Sequence, residues 1–110
     1  MPDAVMLFRY SALTFNGHRI HYDKHYAIEE EHYPGLVVHG PLQATLLLDL
    51  CRHNAGSPVK TFEYRAQYPM FAGRPFTTNG VFDAATAKAE VWTADHAGYY
   101  AMRATAAFFQ

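Results

Sequence analysis

The chain has 110 residues, half of them hydrophobic and 15% aromatic, so intrinsic disorder is set aside and one domain with one core is expected over 1–110. A domain near this size buries roughly 65% of its unfolded surface, and the single cysteine, Cys51, excludes an internal disulfide. The net charge of −1, with no basic stripe, argues against a nucleic-acid partner.

The N-terminal stretch "MPDAVMLFRYSALTF" has no basic leader and carries Asp3 and Arg9, so it does not resemble a signal peptide. No apolar run approaches the roughly 18 residues that a membrane span needs. A cytoplasmic protein that does not bind membranes is expected. Cys51 is then a small buried hydrophobe in a reducing compartment.

Asp3 predicts the N-cap of a first helix, with Val5, Leu7, Phe8 and Ala12 among its apolar positions. Next comes "LTFNGHRIHYDKH", residues 13–25, which gathers Asn16, His18, Arg19, His21, Asp23 and His25. The acidic run Glu29–Glu31 suits a solvated loop. "YPGLVVHGP", with two Gly and two Pro, is a turn-rich connection.

"PLQATLLLDLCRHNAG" predicts a long helix. Pro41 suits its first turn, and Arg52 and His53 sit where positive charge is favoured. Asn54 and Gly56 are candidate terminators. Leucines on most sides predict burial all round. Four strands follow, at about 59–68, 75–83, 87–95 and 99–108. In "VKTFEYRAQY" Phe62 and Tyr64 face one way, and Lys60 and Arg65 mark exposed positions. "FAGRP" and "DAATA" are turn-like breaks, and "DHAG" is a hairpin connection. Four antiparallel strands after one apolar helix define an α+β arrangement, a sheet wrapped around that helix.

The polar cluster admits a metal site, an acid/base site or a surface loop. His18, His21 and His25 are spaced by three and four, which on a continuous helix would share a face. Gly17 precedes them, and only Asp23 or Glu29 is near enough in sequence to complete a ligand set, so metal binding is disfavoured. His21 as a local loop histidine stays open beside His21 as an acid/base. Asn16 fits a helix C-cap as well as a site residue. Asp23 suits a cap or turn.

Asn16-Gly17-His18-Arg19-Ile20-His21, followed by Val37-Val38-His39-Gly40-Pro41 at the head of the apolar helix, resembles a known motif pair. Its owners are the hot-dog-fold hydratases and dehydratases of acyl thioesters, the MaoC-like or hydratase-2 group. Their pattern is Asp-x-Asn-Pro-hydrophobic-His, then hydrophobic-His-Gly at the start of the central helix. The longer wording "RYSALTFNGHRIHYD" and "YPGLVVHGPLQ" is similar to the branch containing mesaconyl-C4-CoA hydratases and mitochondrial 3-hydroxyacyl thioester dehydratases. Two features depart from the group. Asn16 stands where an Asp is usual, and the chain begins at the first helix, where family members normally have a preceding strand.

The resemblance implies a single hot-dog fold, first strand absent, that hydrates α,β-unsaturated acyl thioesters carried on CoA or an acyl-carrier protein. It implies His21 as the acid/base: an imidazole with an ordinary pKa of about 6.5 is available in its neutral form near pH 7. Asn16, which cannot ionise, would orient the attacking water. Gly40 would give its backbone N–H to the thioester oxygen, a donor of a kind worth about 3 kcal/mol in a transition state. His39 and Arg19 are further substrate-binding candidates, Arg19 toward a carboxylate or phosphate. No metal and no cofactor is implied, because the thioester itself acidifies C2. A homodimer, or pairing with a second hot-dog unit, would cover an open sheet edge. A thioesterase and a non-catalytic acyl-thioester-binding or dimerisation subunit are the alternatives on the same fold.

Overall fold

The computed structural model describes residues 2–14, 19–31 and 34–109. Helix α1 spans Ala4–Leu13, and the Asp3 carboxylate accepts the Met6 amide at 2.8 Å, the N-cap expected from the sequence. Its inward face differs from the apolar pattern. Leu7 and Ser11 are buried one turn apart, and Val5, Phe8 and Ala12 are exposed. A hydroxyl is tolerated inside when it has a partner, and the partner of Ser11 decides which side of the helix turns inward.

A short 3-10 turn, Arg19–His21, leads into α2, Lys24–Glu29. Asp23 caps α2 by accepting the Tyr26 amide at 3.0 Å, and Glu29, Glu30 and Glu31 lie exposed. The long helix α3 spans Gly40–Asn54 with Pro41 in its first turn. It buries Leu42, Gln43, Ala44, Leu47 and Cys51. The expected all-round burial is not found, because Leu46, Leu48 and Leu50 are only half-buried. One sheet covers one side of a helix, and the leucines at its flanks keep part of their surface.

The strands are β1 (Val59–Ala66), β2 (Thr77–Asp83), β3 (Lys88–Ala94) and β4 (Tyr100–Phe108), each within two residues of its predicted bounds. All pairs are antiparallel in the order β1-β4-β3-β2. The two hairpins are closed by aspartates. Asp83 accepts the Ala85 and Thr86 amides, and Asp95 accepts those of Ala97 and Tyr99. Gly98 takes a positive φ of 91° in the second turn, which only glycine adopts without strain.

Two clusters form the interior. Ala44, Leu47 and Cys51 of α3 pack on Val91, Met102, Ala104 and Phe108. Leu7, Ala27, Leu36, Val38, Leu42 and Met70 form the second cluster around the head of α3. The connection from β1 to β2 runs back beside this second cluster. Val38 donates to the Met70 carbonyl at 2.7 Å, and Ala72 donates to that of Leu36 at 2.9 Å. Val37 in turn donates to the Ile20 carbonyl at 2.8 Å. Residues 36–38 are therefore held from both sides just before α3 begins. No helix among the described residues is long and apolar enough to cross a membrane.

Candidate active site

His21 ends the 3-10 turn and is buried, 8% exposed. Its Nδ1 lies 2.6 Å from the Val37 carbonyl oxygen. A carbonyl can only accept, so Nδ1 carries the proton and donates it. The lone pair of the neutral ring is then on Nε2. The strap that holds Val37 thus selects the tautomer of His21, as hydrogen bonds to one ring nitrogen commonly do.

His39, at the N-cap of α3, has no exposed surface in the chain. Its ring stacks on that of His21 with centroids 3.8 Å apart and planes at 17°. The Ser11 hydroxyl lies 2.7 Å from His39 Nε2, and the Tyr10 ring meets the imidazole edge-on at 4.6 Å. His39 Nδ1 is buried with no hydrogen-bond partner among the described residues. Burial first, and the neighbouring His21 second, push the His39 pKa down to about 4, so the ring is neutral at pH 7. His39, one of the predicted substrate contacts, is thus a buried neutral ring stacked on His21.

Gly40 is the first residue of α3, where an amide has no carbonyl one turn back and the helix dipole favours negative charge. A Cβ built there would meet only Met102 Cε at 3.8 Å, an ordinary contact. Packing within the chain therefore does not demand glycine at 40, whereas close approach of a ligand to the backbone would. One turn further, Gln43 is 97% buried and Thr93 fully so, and the Thr93 hydroxyl donates to Gln43 Oε1 at 2.8 Å.

Arg19 is placed differently. Its guanidinium donates to Asp23 at 2.9 Å, lies 4.2 Å over the Tyr26 ring and remains more than half exposed. The Asp23 carboxyl is held below its usual range by the Tyr26 amide first and by Arg19 second. Asn16 and His18 lie outside the described residues. Among the described residues no group of three or more His, Cys, Asp or Glu could hold a metal ion.

The fold therefore brings His21, His39 and Gly40 together at the head of α3, and sets Arg19 aside against Asp23. Sequence reasoning missed Ser11, Tyr10, Val37 and the Gln43–Thr93 pair. A signal existed for Gln43, a carboxamide inside an apolar helix. None existed for Ser11, whose partner is 28 residues away.

This arrangement is the hot-dog fold of acyl-thioester hydratases and dehydratases, and solved structures of that fold superpose on nearly all of the chain. The ChsH1–ChsH2 complex from Mycobacterium tuberculosis matches at a TM-score of 0.78 and 16% identity, covering 97% of this chain and 88% of that one. The (R)-hydratase of A. caviae involved in PHA biosynthesis matches at 0.77 and 21% identity, covering 96% and 85%. Residues 1–72 match the model of the hydroxyacyl-thioester dehydratase type 2 family, and the chain belongs to that family. It is 59% identical over 76 residues to the mesaconyl-C(4)-CoA hydratase of Chloroflexus aurantiacus, covering 69% of this chain and 27% of that protein. It is 43% identical over 77 residues to the mitochondrial hydroxyacyl-thioester dehydratase type 2 of Schizosaccharomyces pombe, covering 67% and 26%. The chain thus spans about a quarter of the length of the curated relatives it matches.

Proposed function

We propose that the chain carries the acid/base half of a site for reversible hydration of α,β-unsaturated acyl thioesters. The water oxygen bonds to C3 as His21 Nε2 takes its proton. The π electrons move toward the thioester oxygen, which the Gly40 amide stabilises. The imidazolium then returns a proton to C2, so both additions fall on one face. Asn16 is the proposed partner that orients the water.

The single observation behind this assignment is the short bond from His21 Nδ1 to the Val37 carbonyl. It leaves Nε2 as the basic nitrogen, and it belongs to the segment that leads directly into Gly40. Membership of the hydroxyacyl-thioester dehydratase type 2 family supports the same chemistry. A branched dicarboxyl C5 thioester such as mesaconyl-C4-CoA is the finer proposal for the substrate, supported by the similarity to the hydratase of that name. A cytoplasmic dimer, of two copies or with a second hot-dog unit, is the proposed setting.

The test is spectrophotometric. Crotonyl-CoA and mesaconyl-CoA are incubated with the protein, and loss of the enoyl-thioester absorbance is followed. Turnover that disappears in His21→Ala is expected. Absence of turnover with either thioester would favour the second reading, a non-catalytic acyl-thioester-binding subunit. Neighbours described as complexes of unlike chains, ChsH1–ChsH2 and HadBC, support that alternative. Release of free thiol, seen with a thiol reagent, would instead indicate a thioesterase.

A further inference from the structure

We propose that the side-chain amide of Gln43 is a second hydrogen-bond donor, beside the Gly40 backbone amide, for the thioester oxygen of the ligand. The assignment rests on the acyl-thioester reading above and adds a residue to it.

Gln43 is polar in a helix whose other inward side chains are Leu42, Ala44, Leu47 and Cys51. It is only 3% exposed. A buried carboxamide that serves packing alone needs partners at both ends, because an unpaired buried polar group is costly. Here one end is paired. Oε1 accepts from the Thr93 hydroxyl at 2.8 Å, and Nε2 donates to nothing among the described residues. The two N–H donors have no partner among the described residues, yet they are not sealed in as His39 Nδ1 is, so an acceptor can reach them.

The helix sets where those donors lie. Residues three apart share a face, so Gln43 and Gly40 are neighbours on α3. Side chains on a helix lean toward its N-terminus, so the carboxamide covers the turn that contains Gly40. Met102 ties the two positions together. Its Cε is 3.8 Å from where a Gly40 Cβ would stand, and it is the register partner of Thr93.

The chemistry suits a thioester oxygen. As charge builds there, the oxygen offers two acceptor directions, and one backbone amide fills one of them. A neutral donor fills the second without burying a cation. Thr93 adds direction: by holding Oε1 it leaves the NH2 end as the one that can meet the oxygen. A reversed amide would present an acceptor to the oxygen and repel it. Thr93 is thus a positioning residue, acting through Gln43.

Gln43→Met removes the donors at similar volume, and the Thr93→Val and Thr93→Ser variants separate loss of the hydroxyl from its retention. With crotonyl-CoA, Gln43→Met is expected to lower kcat on the order of 100-fold, the cost of one such donor, with KM little changed. Thr93→Val should lower kcat on the order of 10-fold and Thr93→Ser should restore it. The carbonyl ¹³C resonance of bound [1-¹³C]crotonyl-CoA should lie downfield in the wild type and move back toward its free position in Gln43→Met. That resonance reads the donor even if the protein binds the thioester without turning it over, so failure of the hydratase reading is distinguished from failure of this one. An unchanged kcat and resonance in folded Gln43→Met would overturn the proposal. So would equal behaviour of the two Thr93 variants if Gln43→Met does not fold, or failure of the wild type to bind the thioester at all.

Discussion

The imidazoles of His21 and His39 lie face to face, 3.8 Å between centroids and 17° between planes, although 18 residues separate them in the chain. The two rings have different duties. His21 keeps its proton on Nδ1 against Val37, and His39 is buried, neutral and fixed by Ser11. A neutral ring at this distance can carry the face of an imidazolium, where a second cation would repel it.

Ser11→Ala takes away the partner of His39 Nε2 and leaves both nitrogens of a buried ring without a partner among the described residues. Loss of one partner of a buried hydrogen bond costs about 1–3 kcal/mol. Urea unfolding should show a lower midpoint at unchanged slope. A midpoint equal to that of the wild type would mean that the ring finds another partner.

Stability should fall as acid is added, because of His39. Its folded pKa of about 4 is below its unfolded value of 6.5. Above pH 6.5 both states hold the ring neutral and the full stability is present. Between 6.5 and 4 the unfolded chain binds a proton that the folded chain refuses, so unfolding is favoured as pH falls. The slope from this one group reaches at most about 1.4 kcal/mol per pH unit. Urea midpoints measured from pH 7.5 to 4.5, for the wild type and His39→Gln, isolate it. The variant should show the shallower decline, and parallel curves would contradict the assignment.

Gly80 lies on β2, beside Val91 of β3 and facing Leu50 of α3. A Cβ there would stand 2.9 Å from Val91 Cγ1 and 3.0 Å from the Phe82 ring, with Leu50 at 3.5 Å. Gly80→Ala should therefore destabilise by about 1–3 kcal/mol through overpacking. Adding Val91→Ala makes room, so the double variant should lose less than the two single losses summed. Additive losses in thermal unfolding would refute the clash.

Arg19 is bound to Asp23 and stands over Tyr26, which leaves its guanidinium committed within the loop. Arg19→Gln should leave KM for crotonyl-CoA within about twofold and speed hydrogen exchange at the Tyr26 amide, which shares the Asp23 cap. A large rise in KM at constant kcat would instead return Arg19 to the substrate.

Much of the architecture was legible in the linear chain because it is set locally. The Asp3 cap, Pro41 in the first turn of α3 and the Asp95–Gly98 turn each depend on neighbours within a few residues, whereas the alternation expected along β1 is not seen in its burial, where only Val59 and Phe62 are half-buried. His21 and Gly40 stood out only through the resemblance of their motif pair to a known family, and the fold sets both beside His39 at the head of α3. Which side of α1 is buried was not legible, because Val5 and Phe8 are as apolar as Leu7 and nothing nearby says which side meets the core.

What only the tertiary structure decided is long-range pairing. That β1 lies beside β4, that Ser11 reaches His39, that Val37 sets the His21 tautomer and that Thr93 takes one end of Gln43 all join residues from 16 to 50 positions apart. Hydrophobic periodicity carries no record of such partners. A buried hydroxyl or amide chooses its face by where its hydrogen bond can be made, and that place exists only after the helices and the sheet have packed.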